Sequence, residues 1–202
     1  MMNSPKRISL SGRSIELRPI TLEHADHLYE LGREPSIWDY LACQPFGSPA
    51  DARSWIDSML DRYEKSGEVC FVVWDQSSAR ISGSTSLLSP NLQHHGIEIG
   101  WTWYGIDFQR THVNTDAKRT LLAHCFEDLG AIRVQLKTDV RNVRSQNAIS
   151  RLGAQREGVL RSHMIYPNGF VRDTAMYSIT KPEWPATRNR LDNLLTTAER
   201  RS

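Results

Sequence analysis

The chain has 202 residues, 25 of them basic and 23 acidic, for a net charge of +2. That length suits one domain with a sizeable core, and the near balance of charge argues against nonspecific nucleic-acid or polybasic membrane binding. Cys43, Cys70 and Cys125 lie far apart with no metal-ligand spacing, there is no apolar stretch of about 18 residues, and MMNSPKRISLSG has no apolar leader core. The expectation is a soluble cytoplasmic protein with no metal, no membrane and no nucleic acid among its partners.

In chain order, residues 1–13 read as a lead. SIELRPI, residues 14–20, alternates and reads as a strand. Thr21 can cap a helix running to Gly32. Ser48-Pro49 pairs a capping hydroxyl with proline at the first helical position, and that helix should reach about Ser66, burying Trp55, Ile56, Met59 and Tyr63. VCFVVW, residues 69–74, is a buried strand, and RISGSTSLL, residues 80–88, its hairpin partner. IEIGWTWYG, residues 97–105, alternates. Ile97, Ile99, Trp101 and Trp103 should face one way, and Glu98, Gly100, Thr102 and Tyr104 the other.

QRTHVNTDAKRTLLAHCFEDLG, residues 109–130, has the apolar stripe of a helix in Val113, Ala117, Leu121, Leu122 and Phe126, with Gly130 to end it. Residues 133–140 form the next strand, and residues 142–152 a short helix closed by Gly153. Residues 155–166 and 170–180 are strands joined by Pro167-Asn168-Gly169. The polar tail, residues 183–202, carries Leu191, Leu194 and Leu195, enough for one helix. The whole is a mixed α+β domain over residues 14–182, with a mostly antiparallel central sheet flanked by helices.

The start of the long helix is unusually polar: Arg110, Thr111, His112, Asn114 and Thr115. A helix start leaves N–H groups without partners and carries partial positive charge, so it attracts anions, phosphate above all. The alternative is an ordinary N-cap served by Thr111 or Asn114. Neither GxGxxG nor GxxxxGK[ST] is present.

EIGWTW, QRTHVNTDAK and NVRSQNAISRLGAQREG together resemble the GNAT superfamily of acetyl-CoA-dependent N-acetyltransferases, in particular its RimJ/RimL, ribosomal-protein alanine acetyltransferase, type. The resemblance covers roughly residues 14–182. It implies a GNAT fold with splayed central strands, acetyl-CoA as acyl donor and a primary amine, on a protein N-terminus or a small molecule, as acceptor. It also implies that Arg110, Thr111, His112, Val113, Asn114 and Thr115 wrap the pyrophosphate. The main chain around Trp101, Thr102 and Trp103 would pair with the pantetheine arm. Asn142 would contact that arm, and Ser145 would lie near the sulfur. Arg110 and His112 stand where the family loop carries glycines, which leaves two outcomes: a loop of the same shape with added side-chain charge, or weakened cofactor binding in a non-catalytic protein.

Amine attack on a thioester needs a base, an oxyanion donor and a proton for the leaving sulfur. Glu98 is the candidate base, or else a carboxylate paired with a neighbouring cation. Ser145 is the candidate proton donor, or else a helix-start hydroxyl. Tyr104 and Tyr177 are weaker donors that also suit a core. Adjacent His94 and His95 point apart and do not suit one metal ion. His163 could face the acceptor, and Arg161, Arg172 and Asp173 read as surface ion pairs. Trp38, Tyr40, Phe46 and Tyr166 either line an acceptor slot or bury the first helices. Six tryptophans are many for this length, so exposed ones would support a homodimer.

Overall fold

A computed structural model describes residues 1–199. Eight strands form one sheet in the order β1-β2-β3-β4-β5-β6-β8-β7. They are β1 (Leu10–Ser11), β2 (Ile15–Pro19), β3 (Val69–Asp75), β4 (Arg80–Asn91), β5 (Gly96–Tyr104), β6 (Arg133–Asp139), β7 (Gln155–Ile165) and β8 (Val171–Thr180). All neighbours pair antiparallel except β5 and β6. The α+β expectation, with its mostly antiparallel sheet, holds.

The helices are α1 (Ala25–Gly32), α2 (Pro49–Ser66), α3 (Val113–Ala123), α4 (Val143–Leu152) and α5 (Trp184–Glu199). Local chemistry sets their ends. Ser48 and Asp51 form a capping box at α2, and Gly67 closes it in a left-handed conformation at φ 68°. The Asn142 side chain caps α4 by accepting from the Ser145 amide, and Gly153 ends that helix at φ 106°. The helix expected over residues 109–130 is shorter. It starts at Val113, widens into a π turn over His124–Asp128 and stops before Gly130. Thr21 begins a 3₁₀ turn over Leu22–His24 rather than α1 itself.

Two apolar layers sandwich the sheet. On one face α3 covers Leu17, Phe71, Leu87, Ile97, Ile99 and Leu136, and α5 packs behind it on α3 and α4. On the other, α1 and α2 pack Trp38, Phe46 and Trp55 against Val72 and Trp103. Four of the six tryptophans are buried, and the half-buried Trp74 and Trp101 stack with Arg18 and Arg62. The argument for self-association through exposed tryptophans therefore loses its footing. No described helix is long and apolar enough to cross a membrane.

The expected alternation in β5 breaks in its middle. Ser84 pairs with Trp103 but Ser86 with Gly100, so two steps on β4 face three on β5. This bulge puts Trp101 at φ 47°, a conformation costly for a side chain with a Cβ. Beyond it the faces swap. Ile97 and Ile99 lie in the α3 layer, whereas Trp103 lies in the α1–α2 layer and Tyr104 takes its place. Gly83 makes room, since a Cβ there would stand 2.1 Å from the Trp103 carbonyl oxygen.

Candidate active site

The parallel ladder of β5 and β6 lasts only from Gly96↔Arg133 through Ile97↔Val134 to Glu98↔Gln135. β5 then follows β4 and β6 follows β8, so the two strands splay. Residues 99–104 of β5 thus keep main-chain groups with no ladder partner on the β6 side. A cleft of about 710 Å³ opens there, walled by both strands, the start of α3, one side of α4 and the segment around Tyr40.

At one mouth lies the turn leading into α3. Arg110 sits at φ 63°, so the first glycine-type position of the loop keeps the left-handed conformation despite its side chain. His112 is helical at φ −64°. Its ring turns away to Asp75 on β3, Nε2 to Oδ1 3.1 Å, so its side chain is not directed into the cleft. Thr111 donates to the Phe108 carbonyl at 2.8 Å and accepts from the Val113 amide at 3.3 Å, so the ordinary cap also exists. Val113 is core, and the buried Thr115 hydroxyl accepts from Arg151 at 3.0 Å. The amides of Thr111, His112, Asn114 and Thr115 have no acceptor among the described residues. Arg110, Arg144 and Arg151 bring three guanidinium groups to this mouth, Arg144 held by Gln109 at 2.8 Å. Arg144 and Arg151 escaped the sequence reading, although a seven-residue spacing on α4 puts them on one face.

Midway along the cleft, Asn142 and Ser145 meet at the start of α4 and both line it. Asn142 Oδ1 accepts from the Ser145 amide at 2.9 Å, which leaves the Asn142 Nδ2 and the Ser145 hydroxyl without protein partners among the described residues. Across from them, under the bulge, lies Lys118. It is 5 % exposed, and its Nζ donates to Thr102 Oγ1 at 2.6 Å and Thr85 Oγ1 at 3.2 Å. No carboxylate among the described residues pairs with it, and burial pulls its ammonium down to about 7. Sequence alone gave no sign of it: a lysine beside an apolar stripe reads as the solvated face. Tyr104 also lines the cleft, but its hydroxyl is buried without a partner among the described residues and is pushed up by burial. Tyr177 lies in the core with its hydroxyl on Gln146 at 3.0 Å.

Glu98 stands where the strands part. It is 2 % exposed, and its Oε2 accepts from Gln135 Nε2 at 2.8 Å and faces Lys137 Nζ at 3.1 Å. Both readings of Glu98 thus meet in one group: it is paired, and it lines the cleft. Gly100 leaves room for it, since a Cβ there would lie 3.0 Å from Oε1. Arg172 and Tyr40 also wall this end. The expected surface lattice of Arg161, Arg172 and Asp173 is absent among the described residues. Arg172 is buried, and Asp173 Oδ1 instead accepts from the Ser162 amide at 2.7 Å. Trp38 and Phe46 bury the first helices, whereas Tyr166 anchors Tyr40 by donating to its carbonyl at 2.8 Å. No group of three metal-binding side chains occurs among the described residues.

A family model described as an acetyltransferase (GNAT) domain matches residues 14–155. The chain belongs to the GNAT acetyltransferase family. A Bacillus subtilis relative, YdaF, provisionally named a ribosomal N-acetyltransferase, is 33% identical over 175 residues, covering 84% of this chain and 93% of that protein. A GCN5-related N-acetyltransferase from Brucella melitensis superposes with a TM-score of 0.89 at 28% identity, over 96% of this chain and 88% of that one. The microcin C7 self-immunity acetyltransferase MccE, solved with acetyl-CoA and AMP, gives a TM-score of 0.73 at 25% identity, over 83% and 93% of the two chains. This GNAT protein is accordingly an acetyl-CoA-dependent acetyltransferase.

Proposed function

We propose that the chain moves the acetyl group of acetyl-CoA onto a primary amine by direct attack in a ternary complex. The acceptor is a protein N-terminus or a small amine, in the manner of the RimJ/RimL type, and the protein works in the cytoplasm. The observation that carries this reading is the splay beginning at Glu98, which sets a carboxylate, unpaired main-chain groups and the Ser145 hydroxyl around one cleft. The residues suit the donor. Four partnerless amides and three arginines at the α3 mouth match a diphosphate, and the unpaired edge of β5 matches the amides of a pantetheine arm. Arg110 and Asn114 hold the phosphates with side chain and main chain, and Thr111, His112 and Thr115 with their amides, whereas Val113 shapes the turn through its amide on the Thr111 hydroxyl. Asn142 and main-chain groups of Trp101, Thr102 and Trp103 hold the arm.

The chemistry balances without a covalent enzyme intermediate. The amine lone pair attacks the thioester carbon, a C–N bond forms, and a β5 amide near the bulge donates to the oxyanion. Glu98 takes the ammonium proton, directly or through water. The C–S bond breaks, Ser145 gives its proton to the leaving sulfur, and solvent restores it.

Calorimetric titration of acetyl-CoA and thiol release with a panel of amines and N-terminal peptides test this reading. Glu98→Gln should lower kcat about 100-fold and leave donor affinity within about threefold. An unchanged turnover would remove Glu98 from the base role. Absence of heat with acetyl-CoA would favour a non-catalytic role for the cleft.

A further inference from the structure

Arg172 is 6 % exposed and lines the cleft, yet no carboxylate lies within ion-pair distance of it among the described residues. Asp139, fully buried nearby, feels the Arg172 charge, but its hydrogen bonds are committed to Arg141. Its Oδ1 accepts from Arg141 N at 2.9 Å and Nε at 3.0 Å, and its Oδ2 from Arg141 Nη2 at 2.7 Å. Arg172 Nη1 donates to the Tyr166 hydroxyl at 3.3 Å, and its buried Nε has no acceptor among the described residues. A desolvated guanidinium in this state is costly to hold unless something else answers its charge.

The sheet puts this charge on the same wall as the candidate base. On β8, Arg172, Thr174 and Met176 share a face, and Met176 lies opposite Lys137, whose Nζ is 3.1 Å from Glu98. The two-residue irregularity in β7 sets Ser162 at φ 49° and brings His163 Nδ1 to Thr174 Oγ1 at 3.1 Å. Partial burial lowers His163, the charges of Lys137 and Arg172 lower it further, and Glu98 works the other way. From Glu98 outward the wall therefore carries the Glu98–Lys137 pair, then Asp139 paired with Arg141 opposite Thr174, and then Arg172. Four residues of β8 separate the Lys137 row from Arg172, about 13 Å at the strand rise, and the arginine side chain shortens that span.

We propose that this wall recognises the acceptor. Arg172 takes an anionic group, carboxylate or phosphate, that the acceptor carries on the order of 10 Å from its reacting amine. This rests on the acetyl-transfer reading and narrows it. An amine with no such anion leaves Arg172 with only the Tyr166 hydroxyl and the Arg141-paired Asp139 near it, whereas an acidic side chain near a peptide N-terminus or a terminal phosphate on a small amine pairs with it directly.

Matched acceptors test the proposal on the full chain with acetyl-CoA. One pair is the tripeptide amides Ala-Ala-Glu and Ala-Ala-Gln; the other is 6-aminohexyl phosphate and 6-aminohexanol. The anionic member of at least one pair should have a kcat/KM at least about tenfold higher, chiefly through KM, and which pair responds distinguishes carboxylate from phosphate. Arg172→Gln should collapse that ratio to within about threefold, and Arg172→Lys should restore part of it. Equal rates within both pairs, a preference that survives Arg172→Gln, or an equal loss for charged and neutral members would overturn it. If no amine is acetylated, the N-acetylated forms of the four compounds are titrated calorimetrically onto the CoA-loaded protein. An anion preference there that Arg172→Gln abolishes upholds the subsite while the transfer reading fails, and no preference refutes the subsite.

Discussion

Lys118 is the residue whose state most depends on the fold. Its ammonium is buried and, among the described residues, hydrogen-bonds only the Thr85 and Thr102 hydroxyls, which themselves lie 2.8 Å apart. Burial brings it down to about 7, whereas an unfolded lysine titrates near 10.4. Below pH 7 both states carry the proton, and the folded protein bears the full cost of a buried charge. Above pH 7 the folded protein releases the proton and the unfolded chain keeps it. This group therefore adds stability with rising pH, at about 1.4 kcal/mol per unit. Lys118→Met keeps the volume and removes the titration. In urea unfolding between pH 7 and 9, the advantage of Lys118→Met over the parent should shrink by on the order of 2 kcal/mol. Parallel pH curves would show that Lys118 reaches solvent or finds an anion. The position of Glu98 on β5 was legible because strand alternation isolates it, whereas Ser145 was singled out through the family resemblance. Lys118 and Arg172 were not, because their burial comes from elements packed over them and leaves no trace in local periodicity.

At the scale of elements, most boundaries followed from local chemistry. Ser48-Pro49 starts α2 at Pro49, Gly153 ends α4, and β3 spans Val69–Asp75 against an expected 69–74. The β5 bulge was hidden because its sequence alternates without interruption; only pairing with β4 shows the extra residue, and one such residue swaps every later side chain to the other face. α4 matters for the donor. It shares the cleft with the α3 start and directs Arg144 and Arg151 to the same mouth as the partnerless amides. If these arginines answer phosphate, Arg144→Ala with Arg151→Ala should weaken acetyl-CoA binding about tenfold or more and flatten its salt dependence. S-acetyl-pantetheine, which lacks the phosphates, should bind both proteins within about twofold of each other. Equal losses for the two ligands would assign the arginines to holding α4 in place, Arg151 through Thr115.

At the scale of the molecule, the two cleft helices share one support. α5 packs on both α3 and α4. Leu191 is 0 % exposed in the larger apolar cluster, and Trp184 stacks on Phe126 at 5.4 Å with its indole N–H on Glu127 at 2.8 Å. Arg13 and Arg119 both reach Asp192, at 3.2 and 3.1 Å, which ties α5 to the segment before β2 as well. Three leucines in a polar tail signalled a helix, but nothing in the tail says which surface it covers, because that depends on the far side of α3. The support lies behind the cleft rather than inside it, so damage to it should lower stability before it alters ligand contacts. Leu191→Ala removes a fully buried side chain and should cost about 2–5 kcal/mol in urea unfolding. Acetyl-CoA at about 100 times its Kd should still stabilise the variant by about 2.7 kcal/mol, as it does the parent. If that increment disappears while the variant stays folded by circular dichroism, α5 sets the geometry of the α3 and α4 starts and acts on the cleft itself.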